Sequence, residues 1–181
     1  MKQVIQIIGG LYRGKKIVFP DIEGLRPTPN RVRETLFNWL MQDIKNARCL
    51  DAFAGSGALG LEAFSRGACR VSFIEQSPIA YAQLQKVIAP FKSPKLQVIK
   101  GDSRLYLQNP AEQYDILFLD PPFSESYIPQ CLIDIAQSTV LVPGGLLYLE
   151  SSTPIVVDET FWQQLKLKHA GQVTYGLYKK L

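Results

Sequence analysis

Along this chain the spacing of apolar residues switches repeatedly between a strand period of two and a helix period near 3.6, and the switches mark its elements. Residues 4–8 and 16–19 are short strand-like runs on either side of Gly9-Gly10-Leu11-Tyr12-Arg13-Gly14. This predicts a hairpin with a long, basic, glycine-rich tip. Residues 21–27 carry no period and read as irregular. Thr28 before Pro29 predicts a helix start, with the threonine as N-cap and the proline at the first helical position. Val32, Leu36, Trp39 and Leu40 then fall on one helical stripe, widened by Phe37, Met41 and Ile44. Arg31, Arg33 and Asn38 fall largely outside that stripe and are expected on the exposed side.

From residue 49 onward strands and helices alternate. Strands are expected over 49–53, 70–75, 96–100, 114–119 and 146–150, and helices over 57–66, 78–91, 103–107 and 127–136. Repetition of this kind predicts an α/β fold with a parallel, doubly wound sheet. The ending differs. Residues 161–165 have helical spacing, whereas 166–170 and 173–179 read as two strands around Gly171, a final hairpin that adds an antiparallel strand. The expected organisation is a small N-terminal hairpin and helix, residues 1–47, followed by an α/β domain, residues 48–181.

Composition narrows the class. With 181 residues, 46% hydrophobic and 20% charged, the chain suits one soluble domain with a substantial core. No apolar run approaches the roughly 20 residues that a membrane span needs, and the N-terminus is too polar for a signal peptide. Cys49, Cys69 and Cys131 are odd in number and far apart, with no CxxC pattern. A disulfide framework or zinc site is therefore not expected, nor any other metal, and a reducing cytoplasm is the natural setting. The single histidine, His169, reads as a surface or strand residue. Charge is unevenly spread: residues 1–48 hold nine Lys/Arg against four Asp/Glu, and the remainder eleven against twelve. The positive excess lies in the first quarter of the chain, as expected for an appendage that meets a polyanion.

The chemistry centres on Ile116-Leu117-Phe118-Leu119-Asp120-Pro121-Pro122-Phe123. An uninterrupted apolar run suits a central parallel strand covered on both faces, and the two prolines must end it. Asp120 then sits at a strand's carboxyl end, where open α/β sheets bind ligands. A carboxylate, turn carbonyls such as that of Pro121, and the Phe123 ring suit a planar ring bearing an exocyclic amine. The acceptors take the amine's two hydrogens and free its lone pair, while the phenyl ring stacks on the base. Guanine N2, adenine N6 and cytosine N4 all meet this description, so an enzyme acting on DNA adenine or cytosine stays open at this point.

A second constellation supplies a cofactor pocket. Asp51-Ala52-Phe53-Ala54 leads into Gly55-Ser56-Gly57-Ala58-Leu59-Gly60, a complete G-x-G-x-x-G between a predicted strand and a predicted helix. Glu75, followed by Gln76, ends the next strand twenty residues after Gly55, where a carboxylate can grip both hydroxyls of a ribose. Asp102 and Ser103 follow the third strand, where a polar side chain can meet an adenine amino group. Three strand ends thus converge on an adenosine-shaped site. The pattern alone suits a nicotinamide dinucleotide as well as S-adenosylmethionine. The Asp-Pro-Pro-Phe turn has a role beside an electrophilic methyl group and none beside a nicotinamide, and no second substrate domain follows it.

Taken in order, Asp51-x-Phe53-x-Gly55-x-Gly57, Glu75, Asp102 and Asp120-Pro121-Pro122-Phe123 resemble class I S-adenosylmethionine-dependent methyltransferases. The N-terminal blocks Ile8-Gly9-Gly10-x-x-Arg13-Gly14-Lys15, Arg26-Pro27-Thr28 and Arg31-Val32-Arg33-Glu34-Thr35-Leu36-Phe37-Asn38-Trp39-Leu40 are similar to those of the bacterial 16S ribosomal RNA guanine-N2 methyltransferases, the RsmD family. The resemblance covers essentially the whole chain. It implies a seven-stranded Rossmann-like sheet with an antiparallel C-terminal strand. It also implies methylation of one guanine N2 in ribosomal RNA within an assembled or nearly assembled small subunit. On that reading Asp51, Phe53, Gly55, Gly57, Glu75, Gln76, Asp102 and Ser103 bind the cofactor. Asp120, Pro121, Pro122 and Phe123 form the catalytic turn. Arg13, Lys15, Lys16, Arg26, Arg31 and Arg33 face the RNA.

Overall fold

A computed structural model describes residues 2–20, 28–122 and 127–181. Arg26 and Phe123 therefore lie outside the described residues. The chain begins with an antiparallel hairpin, β1 (Lys2–Gln6) and β2 (Lys16–Pro20), followed by α1 (Asn30–Trp39). Strand and helix then alternate as β3 (Arg48–Asp51), α2 (Ala58–Ser65), β4 (Arg70–Glu75), α3 (Pro78–Ile88), β5 (Leu96–Lys100), α4 (Ser103–Gln108), β6 (Tyr114–Leu119), α5 (Ile128–Gln137) and β7 (Leu141–Ser151). The chain closes with β8 (Trp162–Ala170) and β9 (Val173–Lys180). The main sheet has seven strands in the order β5-β4-β3-β6-β7-β9-β8. Only β9 runs against its neighbours, since it pairs antiparallel with both β7 and β8.

Both faces of β6 are covered, which explains its unbroken apolar run. Ile116 and Phe118 join a core shared with α1, α2 and the hairpin, whereas Leu117 and Leu119 pack into a second core beneath α5. Ile5, Ile7, Ile17 and Phe19 of the N-terminal segment belong to the first of these cores. The hairpin is thus packed into the same apolar layer as the sheet.

Two elements differ from the sequence-based expectation. Residues 161–165 start strand β8 instead of a helix; Trp162 is buried while Phe161 is exposed, and the strand pairs along its length with β9. The spacing Phe-Trp-x-x-Leu fits either element over so short a window, and an available partner strand decided between them. The turn Pro143-Gly144-Gly145 lies inside a longer β7 and makes an irregularity opposite Tyr114–Ile116. On β8 the exposed Lys166 and Lys168 guard the outer edge against pairing with another sheet.

The N-terminal segment is locked to α2 by a buried carboxylate. Glu62, fully buried, accepts the backbone N–H of Ile8 at 2.9 Å, that of Gly9 at 2.8 Å and the Arg66 guanidinium at 2.8 Å. Arg33 lies 3.6 Å away and donates to the Gln6 carbonyl at 3.0 Å and to Asn30 at 2.6 Å. Ser65 continues the lock, donating to the Gly9 carbonyl at 2.6 Å and accepting the Tyr12 N–H at 2.9 Å. A side chain at Gly10, whose φ is +77°, would run into the Ser65 carbonyl.

Arg33 therefore departs from the expected surface role. It is 1% exposed and spends its guanidinium on Glu62 and on the hairpin backbone. It shares the buried face of α1 with Val32, Leu36 and Phe37, so the expectation that it falls outside the stripe is also corrected, and a buried acid on α2 meets it there. Removing one member of a buried ion network costs about 3–5 kcal/mol, because its partners stay desolvated and unpaired. Glu62→Ala is expected to lose stability on that scale in urea unfolding, and Glu62→Gln, which keeps one of the two acceptor oxygens, to lose less.

Candidate active site

The sheet order creates the site. Leaving β3, the chain winds outward through β4 and β5, then returns to place β6 on the other side of β3. The carboxyl ends of β3 and β6 therefore flank a crevice at the topological switch point. Across that edge lie Asp102 after β5, Glu75 on β4, Asp51 and the glycine loop after β3, Asp120 after β6 and Glu150 on β7.

The glycine loop is held from three sides. Ala52 N–H donates to the Phe118 carbonyl and Ala54 N–H to the Ile74 carbonyl, at 3.1 and 3.0 Å. Gly55, at φ +50°, donates its N–H to Glu75 at 3.0 Å, and the other Glu75 oxygen accepts the Ser77 N–H at 2.7 Å. Gly57 has φ +76°, and a side chain there would approach Leu84 at 2.6 Å. A side chain at Gly60 would overlap the Phe73 ring. The three glycines thus serve a left-handed turn and close helix–strand packing. Glu75 keeps a lone pair on each oxygen beside the loop, which fits a ribose diol.

Asp51 is buried, and its carboxylate accepts the Gly60 N–H at 2.9 Å, fixing the first turn of α2. Burial pushes its pKa up to about 7; the Gly60 N–H opposes that shift and the Glu75 charge adds to it. Phe53 stacks on Tyr127 with ring centres 6.1 Å apart, and Arg104 lies 4.6 Å over the Tyr127 ring. Gln76 is exposed. Asp102 caps α4 by accepting the Arg104 N–H at 2.9 Å and pairs with the Arg104 guanidinium at 2.7 Å. Ser103 is buried and its hydroxyl donates to the Ala52 carbonyl.

Asp120 is partly exposed at the mouth of the crevice; Pro121 is buried and Pro122 exposed. The Thr28 hydroxyl donates to Asp120 at 3.3 Å. Thr28 was expected to cap α1, but Pro29 occupies the N-cap position and no side chain caps the helix. The protein packed around Asp120, then the Glu150 charge and then that of Asp51, hold its pKa well above the usual carboxylate range, with Thr28 opposing. Glu150 is 3% exposed and accepts the Tyr148 hydroxyl at 2.7 Å. From the sequence Thr28 was expected only to cap a helix, and no role at the site was expected of Tyr148, Glu150 or Tyr127. The available signal was Glu150 ending a predicted strand, in the same way that Glu75 does.

Of the residues expected at the RNA face, Arg13, Lys15, Lys16 and Arg31 are exposed. The Lys15 ammonium sits 4.8 Å over the Phe91 ring, and Tyr12 stacks on Phe64 at 5.3 Å. The hairpin tip is thus an ordered, basic and aromatic surface fixed to the body.

Residues 5–179 match the family described as conserved hypothetical protein 95. The chain is 42% identical to ribosomal RNA small subunit methyltransferase D of Haemophilus influenzae, over 98% of this chain and 95% of that one. It is 41% identical to the protein of the same name from Escherichia coli strain K12, over 97% and 90% of the two chains. The solved structure of the Escherichia coli protein yhhF superposes with a TM-score of 0.90 at 40% identity, covering 98% of each chain. The chain belongs to the RsmD family.

The fold is that of a class I methyltransferase, and the family makes the protein a methyltransferase. Among the described residues no helix is long and apolar enough to cross a membrane, and no cluster of His, Cys, Asp or Glu could hold a metal ion. The raised pKa of Asp51 gives a signed test. Because the folded state holds its proton up to about pH 7 while the unfolded chain releases it near 4, the folded state binds more protons in between. Stability therefore falls as pH rises through that window. In Asp51→Asn, whose amide oxygen can still accept the Gly60 N–H, urea unfolding is expected to show a shallower fall between pH 4 and 7.

Proposed function

We propose that this protein transfers a methyl group from S-adenosylmethionine to the exocyclic N2 amine of one guanine in 16S ribosomal RNA. The observation that carries the reading is Asp120 opening onto the same crevice as the Gly55–Gly57 loop and the Glu75 carboxylate. S-adenosylmethionine supplies an electrophilic methyl group on a sulfonium centre. The residues present fit it: Glu75 offers acceptors to the ribose hydroxyls, the glycine loop allows close backbone approach, and Phe53 and Tyr127 provide an aromatic wall. Asp102, engaged by Arg104, keeps acceptor capacity toward an adenine amino group.

On the substrate side, Asp120 and the Pro121 carbonyl accept the two N2 hydrogens and draw the lone pair out of conjugation, and Phe123 stacks on the base. Unstacking the guanine costs a few kcal/mol, whereas alignment of two bound reactants lowers the barrier by roughly 7–11 kcal/mol. Positioning therefore dominates. Asp120 need not be a strong base, since the amine becomes acidic only once methylated. Residues 48–181 carry this chemistry and residues 1–47 face the RNA, through Arg13, Lys15, Lys16 and Arg31. The names of the Haemophilus and Escherichia relatives favour ribosomal RNA over DNA. An assembled or nearly assembled small subunit in the cytoplasm is the natural substrate.

Incubation with methyl-labelled cofactor and separate small-subunit, naked RNA and DNA samples tests the reading; label on guanine N2 of 16S RNA is expected, and label on DNA alone would overturn it. Asp120→Ala is expected to lower transfer by orders of magnitude with S-adenosylhomocysteine affinity little changed. Near wild-type turnover in that variant would remove the proposed role of Asp120.

Replacing Arg13, Lys15 and Lys16 together by Ala is expected to weaken RNA binding. Each lost phosphate contact should lower the log–log salt slope by about 0.7–0.9. Cofactor affinity should hold. Unaltered RNA affinity and salt slope would move the binding surface elsewhere.

A further inference from the structure

Asp120 has a second carboxylate beside it that the proposed reaction leaves unused. Leu119, the last residue of β6, pairs with Leu149 of β7, and Asp120 and Glu150 are the residues that follow them, close enough for the Glu150 charge to act on Asp120. Glu150 is buried, yet the ion pairs found among the described residues involve neither acid. What surrounds them is a set of hydroxyls. Tyr148 donates to one Glu150 oxygen at 2.7 Å. Thr28 donates to Asp120 at 3.3 Å, long for an O–H···O bond, and the same hydroxyl also stabilises the charged form of Glu150. The other titratable groups facing the pair are Asp51 on β3 and, across from Glu150 on β9, Tyr175.

Two adjacent carboxylates without a cation do not both stay ionised. We propose that Glu150 is a positioning residue which, with the Thr28 hydroxyl between them, sets the protonation state of Asp120 by sharing one proton with it. The idea rests on the methyl-transfer reading above. When the guanine amine arrives, the shared proton resides on Glu150 and Asp120 accepts the N2–H as a carboxylate. As the N–C bond forms, the electron pair of the broken methyl–sulfur bond leaves with sulfur, and N2 holds one hydrogen too many. That N–H bond breaks, its electrons stay on nitrogen and its proton passes to Asp120. The pair then holds two protons, and one returns to water as product leaves. Glu150 kept neutral lets Asp120 stay ionised, and so able to take the proton, at pH values where two charged acids side by side would not both remain so. Burial already raises both acids, and the Glu150 charge adds to the rise at Asp120, the direction the scheme needs.

The geometry gives opposite signs for two substitutions. Glu150→Gln removes the like charge, so Asp120 should ionise about one pH unit or more lower. Thr28→Val removes the donor, so Asp120 should ionise higher, and Thr28→Ser should restore the wild-type value. The readout is a carbon-13 NMR titration of labelled aspartate carboxyl groups in the whole protein, which needs no substrate, alongside the acid limb of single-turnover methyl transfer. A limb displaced downward by one unit gives about tenfold more turnover at pH values below it. Should Glu150→Gln fail to fold, Tyr148→Phe serves in its place. It makes Glu150 hold its proton more tightly and is expected to shift Asp120 in the same downward sense. Asp120 titrating identically in Glu150→Gln, or in Tyr148→Phe, and in wild type would overturn the proposal. Glu150→Gln and Thr28→Val moving the limb the same way would also overturn it. The NMR shifts appearing in a protein that methylates no RNA would sink the methyl-transfer reading and leave the carboxylate coupling standing.

Discussion

The structure depends on one buried charge. Glu62 on α2 is fully enclosed, and an unpaired carboxylate there would cost several kcal/mol. It is matched by two backbone N–H groups from Ile8 and Gly9, by Arg66 on its own helix and by Arg33 on α1. Each of these donors belongs to a different stretch, so satisfying the charge fixes the hairpin, the first helix and the second helix together. The register that results also delivers Thr28, two residues before α1, to the carboxyl end of β6. An interaction at the back of the hairpin thereby positions a hydroxyl in the active crevice.

Signs of charge are sorted across the molecule. The crevice gathers Asp51, Glu75, Asp120 and Glu150 at neighbouring strand ends, an arrangement that costs stability and that the core of a purely structural protein would not keep. Part of the cost is offset by backbone N–H groups from Gly60, Gly55 and Ser77. The remainder is relieved by protonation, which the raised pKa values of Asp51, Asp120 and Glu150 express.

Much of this was readable in the sequence because it rests on local rules. The strands 70–75, 96–100 and 114–119 were bounded correctly by apolar runs and turn residues, and the glycine loop by its strand–helix context. What escaped was decided by partners distant in sequence. Arg33 was expected on the exposed side, yet it shares the buried face with Val32, Leu36 and Phe37, where Glu62, twenty-nine residues later, meets its charge. Thr28 has the composition of a cap, but Asp120 offers its hydroxyl a carboxylate ninety-two residues away. Ser103 follows a strand end as a ligand-binding residue would, and the Ala52 carbonyl claims its hydroxyl first. Residues 161–165 became strand because β9 lay alongside. In each case the side chain was classified correctly as polar or apolar, and the tertiary partner changed what that polarity does.

The same sorting bears on how a polyanion reaches an acidic crevice. Phosphates are repelled by clustered carboxylates, so a nucleic acid needs cations fixed close by but outside the pocket. The hairpin tip is rigid as well as basic. Leu11 and Tyr12 are hydrogen-bonded to Ser65, Tyr12 is stacked on Phe64, and Lys15 rests on Phe91. Cations held this way lose less freedom on meeting a phosphate than lysines on a mobile loop would. Protonating one of the two innermost acids works in the same direction, because it lowers the field that an incoming base and its flanking phosphates must cross. On the proposed readings, basic side chains fixed on the hairpin and a proton shared beside Asp120 both favour a polyanion, and the Glu62 lock holds the hairpin in place.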